Sequence, residues 1–275
     1  MLDDTPPVRP RKPYLLRRKA LRHILPWMVI IGIFVIWEIV VRAFEIEQFV
    51  LPAPSAIFAS GWEWREPILV NAWQTFMTTV IGFLLAVLVG LLAGIAVGSS
   101  SLMYDSLYPA LIGFNSIPKV AVVPILVIWF GVGTIPAIIT AFLIAFFPIL
   151  VNVAVGIATV EPELQDVLRA LGASRWQVIR KVGLPRSMPY FFASLKVAIT
   201  FAFVGTIVAE TVAANKGIGN LMLVASSRFE VPLAFAGLLV TSVMGIAMYL
   251  VCAAAERRMT GWAMRGADAP QAAQG

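Results

Sequence analysis

The sequence predicts an all-α membrane protein with six transmembrane helices and both termini in the cytoplasm. Three observations predict this fold class. Of the 275 residues, 60% are hydrophobic and only 13% are charged, with a mean hydropathy of +0.88, whereas soluble domains average about 25% charged residues. Six apolar segments approach the roughly 20 residues that a helix needs to cross a bilayer. The Lys and Arg residues are concentrated in segments that alternating spans would place on one side.

The six predicted spans differ in how clearly their apolar runs are defined. The first follows a basic tail, residues 1–23, and no small-residue cleavage site follows it, so we expect a retained helix rather than a signal peptide. The third is the least regular, because Pro109, Pro118, Lys119 and Pro124 interrupt it. The spans cover residues 24–43, 71–98, 107–131, 135–159, 189–213 and 231–255.

The positions of the basic residues orient these spans. The basic tail, the loop at 160–188 and the C-terminal segment together carry fifteen Lys and Arg residues, and the outer loops carry three. Cytoplasmic segments of membrane proteins hold the excess of Lys and Arg. We therefore expect both termini inside, because a chain with five spans would place its C-terminal arginines outside.

Small residues recur every four positions along the second span. They are Gly82, Ala86, Gly90, Gly94 and Gly98. Such a stripe allows the backbone of a neighbouring helix to approach closely. It favours packing within the chain over a seam between two copies, and both interpretations remain open. The fifth span repeats the pattern less regularly.

Polar side chains inside the predicted spans are few, and they are the candidates for a solute path. Irregular backbone at membrane depth is tolerated only where protein or a water-filled cavity covers it, so Asn115 to Pro118 is either a pathway wall or an elbow on the cytoplasmic surface. Lys196 either reaches the inner interface with its ammonium or favours an anionic solute. The path candidates are Asn115, Ser116, Asn152, Thr200, Thr206 and Glu210.

The chain lacks the sequence signatures of an enzyme. It contains no GxxxxGK[ST] phosphate-binding loop and no HExxH motif, and it has no Gly-x-Ser-x-Gly nucleophile elbow. A single cysteine, Cys252, and a single histidine, His23, exclude a Cys/His metal cluster. The glycine-rich stretch from Ala213 to Asn220 is predicted to be a turn in an outer loop. We expect neither catalysis nor a bound cofactor or metal in this chain.

The loop at 160–188 has the composition of a soluble segment. Pro162 suits the first position of a helix and Gly172 suits the residue just past its end, which predicts a helix from Pro162 to Leu171 and a second short helix from Arg175 to Val182, ending at Leu184-Pro185. The first helix has an apolar stripe, formed by Leu164, Val167, Leu168 and Leu171. Helices this short need support, from the membrane surface, from the rest of the chain, or from a partner with a groove.

The same loop resembles the cytoplasmic motif of ABC importer permeases, EAA-x3-G-x9-I-x-LP. Asp166-Val167-Leu168 occupies the triplet, Gly172 the glycine, Val182 the isoleucine and Leu184-Pro185 the final pair. Further stretches resemble the nitrate/sulfonate/taurine type of these permeases. They are Phe49 to Phe58 (FVLPAPSAIF), Ile117 to Gly133, Phe146 to Ile157, Leu171 to Pro185 and Val208 to Met222.

This resemblance implies a type I ABC importer permease in the bacterial inner membrane. The family implies a homodimer, two cytoplasmic ATPase subunits that hold ATP and magnesium, and an extracytoplasmic binding protein. It divides the chain into the basic tail (1–23), the first helix with an outer segment (24–70), a transmembrane core (71–259) containing a coupling loop (160–188), and a C-terminal tail (260–275). The implied solute is a small anion such as nitrate, a sulfonate or taurine, or a vitamin or pyrimidine precursor.

By the same resemblance, the helix at 162–171 would sit in a cleft of the ATPase. The residues implied in this coupling are Glu163, Asp166, Leu168, Arg169, Leu171, Gly172, Ala173, Arg175, Leu184 and Pro185. Two alternatives remain. A secondary transporter or channel predicts dense ionisable residues within the membrane and leaves the loop motif unexplained. A membrane anchor or structural subunit predicts no polar cavity and tolerance of a disrupted loop.

Overall fold

The computed structural model describes residues 14–159, 166–168 and 170–264, and this part of the chain contains helices and no strands. Glu163 and Arg169, two of the predicted coupling residues, lie outside the described residues. The helices are α1 (Tyr14–Ala43), α2 (Pro54–Glu63), α3 (Arg65–Gly98), α4 (Ser101–Asn115), α5 (Val123–Phe130), α6 (Thr134–Ala158), α7 (Arg175–Val178), α8 (Leu184–Ala213), α9 (Ile218–Ser227) and α10 (Val231–Met264).

Five helical segments are long and apolar enough to cross a membrane, and a bent pair of helices adds a sixth if it is counted as one span. The five are Leu25–Ala43, Arg65–Gly98, Thr134–Ala158, Trp176–Ala213 and Val231–Thr260. The bent pair corresponds to the irregular third span of the sequence prediction. Its two helices, Leu102–Asn115 and Lys119–Phe130, meet at 72°, so the interruption predicted within 107–131 is confirmed.

The centre of the bundle is formed by α3, α6 and α8, which we call the core. A Cβ added at Gly94 would lie 2.7 Å from the Val153 Cβ, and one at Gly82 would lie 2.6 Å from the Ala141 Cβ. The small-residue stripe of α3 therefore packs against α6 within the same chain. This agrees with the interpretation favoured from the sequence, which was packing within the chain. Gly205 of α8 also approaches α6, since its Cβ would meet the Ile144 side chain at 2.8 Å.

The first helix is joined to the bundle through α2. Glu38 of α1 accepts hydrogen bonds from the Ser55 backbone N–H at 3.0 Å and from the Ser55 hydroxyl at 2.8 Å. Arg42 pairs with the same carboxylate at 2.6 Å. Because the first N–H groups of a helix have no partner within it, Glu38 fixes the start of α2 to α1. The Trp37 ring also packs against Phe235 of α10, with centroids 6.0 Å apart.

Two predicted loops contain helices that the hydropathy pattern did not reveal. The segment after α1, for which an outer position was predicted, holds α2, which begins at Pro54. The glycine-rich stretch predicted to be a turn is one only at its beginning, because Gly217, with a φ of +114°, leads directly into α9. The buried side chains of Ile57, Ile218 and Leu233 pack these two helices together with α10 into a second apolar cluster.

Candidate functional site

The loop after α6 folds into an elbow, the name used here for residues 166–178. Residues 166–168 are helical, and the Leu171 N–H donates to the Val167 carbonyl at 3.1 Å. The chain then reverses at Gly172, whose φ is +81°, and the Ala173 N–H donates to the Leu168 carbonyl at 3.0 Å. This is the hydrogen-bond pattern of a glycine C-cap. The predicted end of the first helix at Gly172 is therefore confirmed.

The second limb of the elbow begins with a reciprocal cap that the sequence reading missed. The Ser174 hydroxyl accepts from the Gln177 N–H at 3.3 Å, and the Gln177 side-chain oxygen accepts from the Ser174 N–H at 2.7 Å. The signal was present in the sequence, since a Ser followed three residues later by Gln is a capping box. It places Arg175 at the start of α7.

The prediction that the second helix ends at Leu184-Pro185 is wrong. A π-helical turn at Ile179–Gly183 joins α7 directly to α8, and the Leu184 N–H donates to the Ile179 carbonyl. Pro185 lies in the first turn of α8. A proline inside an α-helix clashes with the carbonyl four residues before it, and the wider π turn accommodates the ring here. The fifth span accordingly begins in the elbow and not at residue 189.

The elbow presents apolar side chains to its surroundings. Leu171 is 78% exposed, Trp176 is 60% exposed and Val167 is 57% exposed, while Leu168 is half-buried. A concavity of about 310 Å³ lies between the two limbs of the elbow and the adjoining π turn. It is lined by Leu168, Leu171, Gly172, Ala173, Gln177 and Lys181. Asp166 is exposed at the start of the described part of this surface.

A second polar region lies at the break, the name used here for residues 116–118 between α4 and the 3₁₀ turn Lys119–Val122. Asn115 and Ser116 are exposed. Lys119 is half-buried as a residue, and its ammonium donates to the Asn115 backbone carbonyl at 2.7 Å and to the Asn115 side-chain oxygen. It also lies over the Phe147 ring, 5.8 Å from the centroid. The Lys side chain thus bonds a carbonyl that the end of α4 leaves without a helical partner.

The other predicted path residues lie on α6 and α8 in different environments. Asn152 is half-buried and donates to the Pro148 carbonyl at 2.8 Å. Thr200 is exposed and donates to the Lys196 carbonyl at 2.9 Å. Thr206 is fully buried, and its hydroxyl lies 3.0 Å from the Thr79 hydroxyl of α3. Within the described chain, the structure does not bring these six candidates into one cavity; their role in a path stays a prediction.

Glu210 forms the centre of a buried polar cluster near the end of α8. Its side chain is 2% exposed, and one carboxylate oxygen accepts from the Thr75 hydroxyl at 2.8 Å and from the Gly219 N–H at 3.1 Å. The Thr75 hydroxyl in turn accepts from the Ile218 N–H at 2.9 Å. Gly217 passes so close that a Cβ there would lie 2.2 Å from the Glu210 carboxyl carbon. Three elements, α3, α8 and α9, are therefore tied together by one carboxylate.

Lys196 has a partner that the sequence could not identify. Its ammonium lies 2.6 Å from a carboxylate oxygen of Glu256 on α10, and both side chains are largely buried. A charge at membrane depth is normally paired or faces a cavity. The ion pair explains how α8 carries a lysine within its span, and it replaces the interpretations of a snorkelling or anion-binding Lys196.

Comparison with protein families matches residues 86–261 to the model described as "Binding-protein-dependent transport system inner membrane component". The riboflavin transport system permease of Chloroflexus aurantiacus is 31% identical over 84% of this chain and 87% of that protein. The nitrate import permease of Synechococcus elongatus is 30% identical over 78% of this chain and 81% of that protein. The taurine transport system permease of Escherichia coli is 27% identical over 82% of this chain and 85% of that protein.

Among solved structures, the chain is similar to a subunit of the MetNI methionine ABC transporter in an inward-facing conformation. The TM-score is 0.62 over 70% of this chain and 96% of that one, with 18% sequence identity. At this identity the likeness concerns the fold: the helices of the two chains follow the same course. It agrees with the all-helical architecture that the sequence predicts.

Proposed function

Because the chain belongs to the family of binding-protein-dependent transport system inner membrane components, a family of ABC importer permeases, we propose that two copies of it form the membrane path of an ATP-driven importer. A separate ATPase supplies the ATP and magnesium chemistry, and a binding protein outside the membrane delivers the solute. The elbow faces the cytoplasm in this arrangement, together with both termini, and the bilayer is the bacterial inner membrane.

The exposed apolar surface of the elbow carries this proposal. Leu171 and Trp176 project from a loop whose flanks are charged, and a short helix of this kind is stable only when it is held against something. The concavity between the limbs of the elbow gives a partner both an apolar surface and a rim, at Gln177 and Lys181, that offers polar contacts. A cleft in an ATPase subunit fits this surface.

The motion follows from how the elbow is connected. The π turn joins the elbow directly to α8, and α8 packs closely against α6 and α3 in the core. When two ATPase subunits close on ATP, the two elbows approach each other and each core moves with its elbow as a body. Such domain closure changes the side of the membrane to which a central path opens.

The names of the relatives define the range of solutes. They include permeases named for riboflavin, formylaminopyrimidine, aliphatic sulfonates, nitrate and taurine. We therefore propose a small organic or inorganic solute, either an anion or a vitamin or pyrimidine precursor. The binding protein, a separate chain, makes the first selection.

The alternative of a secondary transporter or channel remains the rival function. It requires ionisable side chains within the membrane that exchange ions during transport. The close pairing of Lys196 with Glu256 reduces the number of charges at that depth. The rival also leaves the apolar surface of the elbow without a partner, and this observation favours the ATP-driven importer.

The experiment that tests the proposal is purification of the chain expressed together with the ATPase and binding protein encoded beside it. The chain should copurify with the ATPase, and Gly172→Asp should remove the ATPase or uncouple it from transport. Substitution of a central interface residue weakens binding by about 2 kcal/mol or more, which is a loss of roughly 30-fold in affinity. Here the cost has two sources: strain at a positive φ and a charge placed in the concavity.

Gly131→Asp is the matched control. Gly131 has a φ of +78° and Gly172 a φ of +81°, and a Cβ at either position would meet no atom of the described residues within 4 Å. Gly131 lies at the opposite end of the bundle, in the turn before α6. The proposed function fails if no ATPase copurifies with the wild-type chain, or if Gly172→Asp retains the ATPase and coupled transport as fully as Gly131→Asp does.

A further inference from the structure

We propose that Lys119 contacts the negatively charged group of the transported solute and makes the path selective for anions. This inference rests on the proposed importer function and narrows its solute class. Four observations carry it: the depth of Lys119 in the bundle, the absence of an opposite charge, the exposure of its surroundings, and a donor that remains available.

The depth of Lys119 follows from its contact with α6. The ammonium lies over the Phe147 ring, and Phe147 is near the middle of α6, which crosses the bundle from Thr134 to Ala158. Lys119 is therefore far from both ends of the bundle and cannot extend its charge to either surface. An ionisable side chain at such a depth is expensive and marks a solute or ion path in many membrane proteins.

Lys119 has no acidic partner in the part of the chain that the structure describes. Lys196, which lies further inside the span formed by α8, is 2.6 Å from Glu256. The contacts of the Lys119 ammonium are Asn115 and the ring of Phe147, both of which are uncharged. The difference is informative, because Lys196 is neutralised by an acidic partner and Lys119 is not, as far as the described residues extend.

The surroundings of Lys119 are open within this chain. Asn115 and Ser116 are exposed, and the backbone of the break makes no regular helix there. Irregular backbone at membrane depth does not face lipid; it is covered by protein or lines a water-filled cavity. In a dimer whose path runs between the two copies, the break and Lys119 therefore line that path.

One donor of the ammonium remains available. A lysine ammonium has three N–H donors, and Asn115 accepts from it with its backbone carbonyl and with its side-chain oxygen. These two acceptors fix the position of the nitrogen. The remaining N–H can reach an oxygen of a nitrate, sulfonate or carboxylate group, and the Asn115 and Ser116 side chains add uncharged hydrogen-bonding groups beside it.

A purely structural role for Lys119 would be to bond the last carbonyl of α4, which lysines near helix ends often do. That role requires a donor but no solute, and its loss would lower the transport of charged and neutral solutes equally. Selectivity between anions and neutral solutes therefore separates the two roles. An anion-selective path also excludes neutral riboflavin as the physiological solute.

The experiment uses proteoliposomes that contain the chain with its ATPase and binding protein. ATP-dependent uptake is measured for nitrate, methanesulfonate, taurine and riboflavin as separate probes. We expect the wild-type assembly to take up at least one of the sulfonates or nitrate and to exclude riboflavin. Lys119→Gln should lower that uptake about tenfold or more, because a charge-assisted hydrogen bond is lost, and Lys119→Arg should keep most of it.

Charge rescue makes the result independent of folding differences between variants. In a Cys252→Ala background, Lys119→Cys is labelled with a reagent that attaches an aminoethyl group by a disulfide, and a matched sample receives a methyl group. The aminoethyl label should restore anion uptake, and the methyl label should not. Both samples come from one protein preparation, so a difference between them reports the charge.

The outcomes separate the inference from the function on which it rests. ATP-dependent uptake of an anion that Lys119→Gln leaves unchanged, or uptake of riboflavin in preference to every anion, overturns the inference and keeps the importer. Equal rescue by the aminoethyl and methyl labels also overturns it. Failure to import every anionic probe by an assembly that retains its ATPase also overturns the inference, whereas the importer function itself is judged by copurification of the ATPase.

Discussion

The core and the bent pair α4–α5 are both apolar parts of one helical bundle, but they are built in opposite ways. In the core, glycines of α3 lie so close to α6 that an added Cβ would approach Val153 or Ala141 to within 3 Å. In the bent pair and the turn after it, Gly113, Gly131 and Gly133 have no other atom within 4 Å of such a Cβ. The packing of the core is satisfied by contacts within this chain, and the packing of the bent pair is not.

The difference shows how stability and function are divided in the fold. Close backbone approach is how membrane helices associate when no hydrophobic effect drives them together, and the core uses it along the second half of α3 and most of α6. The bent pair leaves Ile128 81% exposed and Trp129 69% exposed. In the proposed dimer its contacts are with lipid or a second copy, and it holds Lys119, which has no acidic partner among the residues that the structure describes.

The largest expected effect is in the core. Gly94→Leu should destabilise the protein by about 3 kcal/mol or more, because overpacking a well-packed interior costs 1–3 kcal/mol and a whole side chain exceeds the usual case. The clash involves the Val153 Cβ at 2.7 Å and the Leu150 carbonyl at 2.8 Å. Thermal unfolding in detergent measures it. Gly113→Leu is the control, and equal loss in both variants would remove the contrast between the two regions.

The next effect concerns the Glu210 cluster, which closes the core at its end. Gly217→Ala should cost about 2–3 kcal/mol, because a residue other than glycine is strained at its φ of +114° and the Cβ would collide with the Glu210 carboxyl group. Gly131→Ala carries similar backbone strain without a collision. The difference in unfolding temperature between the two variants isolates the contact, and identical unfolding temperatures would contradict it.

A smaller effect is expected at the ion pair between α8 and α10. Lys196→Glu and Glu256→Lys should each lower stability by about 1–2 kcal/mol, and the double swap should recover most of the loss, because breaking a largely buried pair leaves a charge without its partner while the remaining exposure of the two side chains moderates that cost. Unfolding of the two single variants and the double variant measures the coupling between them. Strictly additive losses would show that the pair at 2.6 Å contributes nothing to holding α10 against the core.

The smallest expected effect is a gain in stability, and it concerns the bent pair. Gly113→Ala should stabilise the protein by about 0.5–1 kcal/mol, because alanine is the better helix former and nothing obstructs its Cβ. The same substitution at Gly94 should destabilise. A loss of stability at Gly113 would mean that α4 is packed as closely as α3, and the comparison between core and bent pair would then be wrong.

The sequence predicted those features that depend on local chemistry. The elbow glycine, the interrupted third span and the stripe on α3 each follow from residues close together in the chain. The capping box at Ser174 belongs to this class as well, although it was overlooked. Local spacing suffices for such features because caps and helix faces are set within one or two turns.

Features that depend on distant residues could not be predicted in this way. Glu210 accepts a hydrogen bond from Thr75, which lies 135 residues away in the sequence. Lys196 forms a salt bridge with Glu256 on another helix. The hydropathy pattern placed Glu210 and Lys196 within a predicted span, but it does not identify the residues that they contact. The π turn was missed for a related reason: a proline predicts a helix boundary, and only packing of the continuous helix against the core overrides it.

The continuous helix that results has a mechanical consequence. From Trp176 to Ala213 it runs unbroken through 38 residues, a length of about 55 Å at 1.5 Å per residue. Its beginning is the second limb of the elbow, and its end carries Glu210. A stiff rod of this length acts as a lever: pivoting it by about 5° at one end sweeps the other through roughly 5 Å, close to one helical turn. A small rotation of this helix at one surface of the membrane thereby displaces its other end by a distance comparable to the size of a solute.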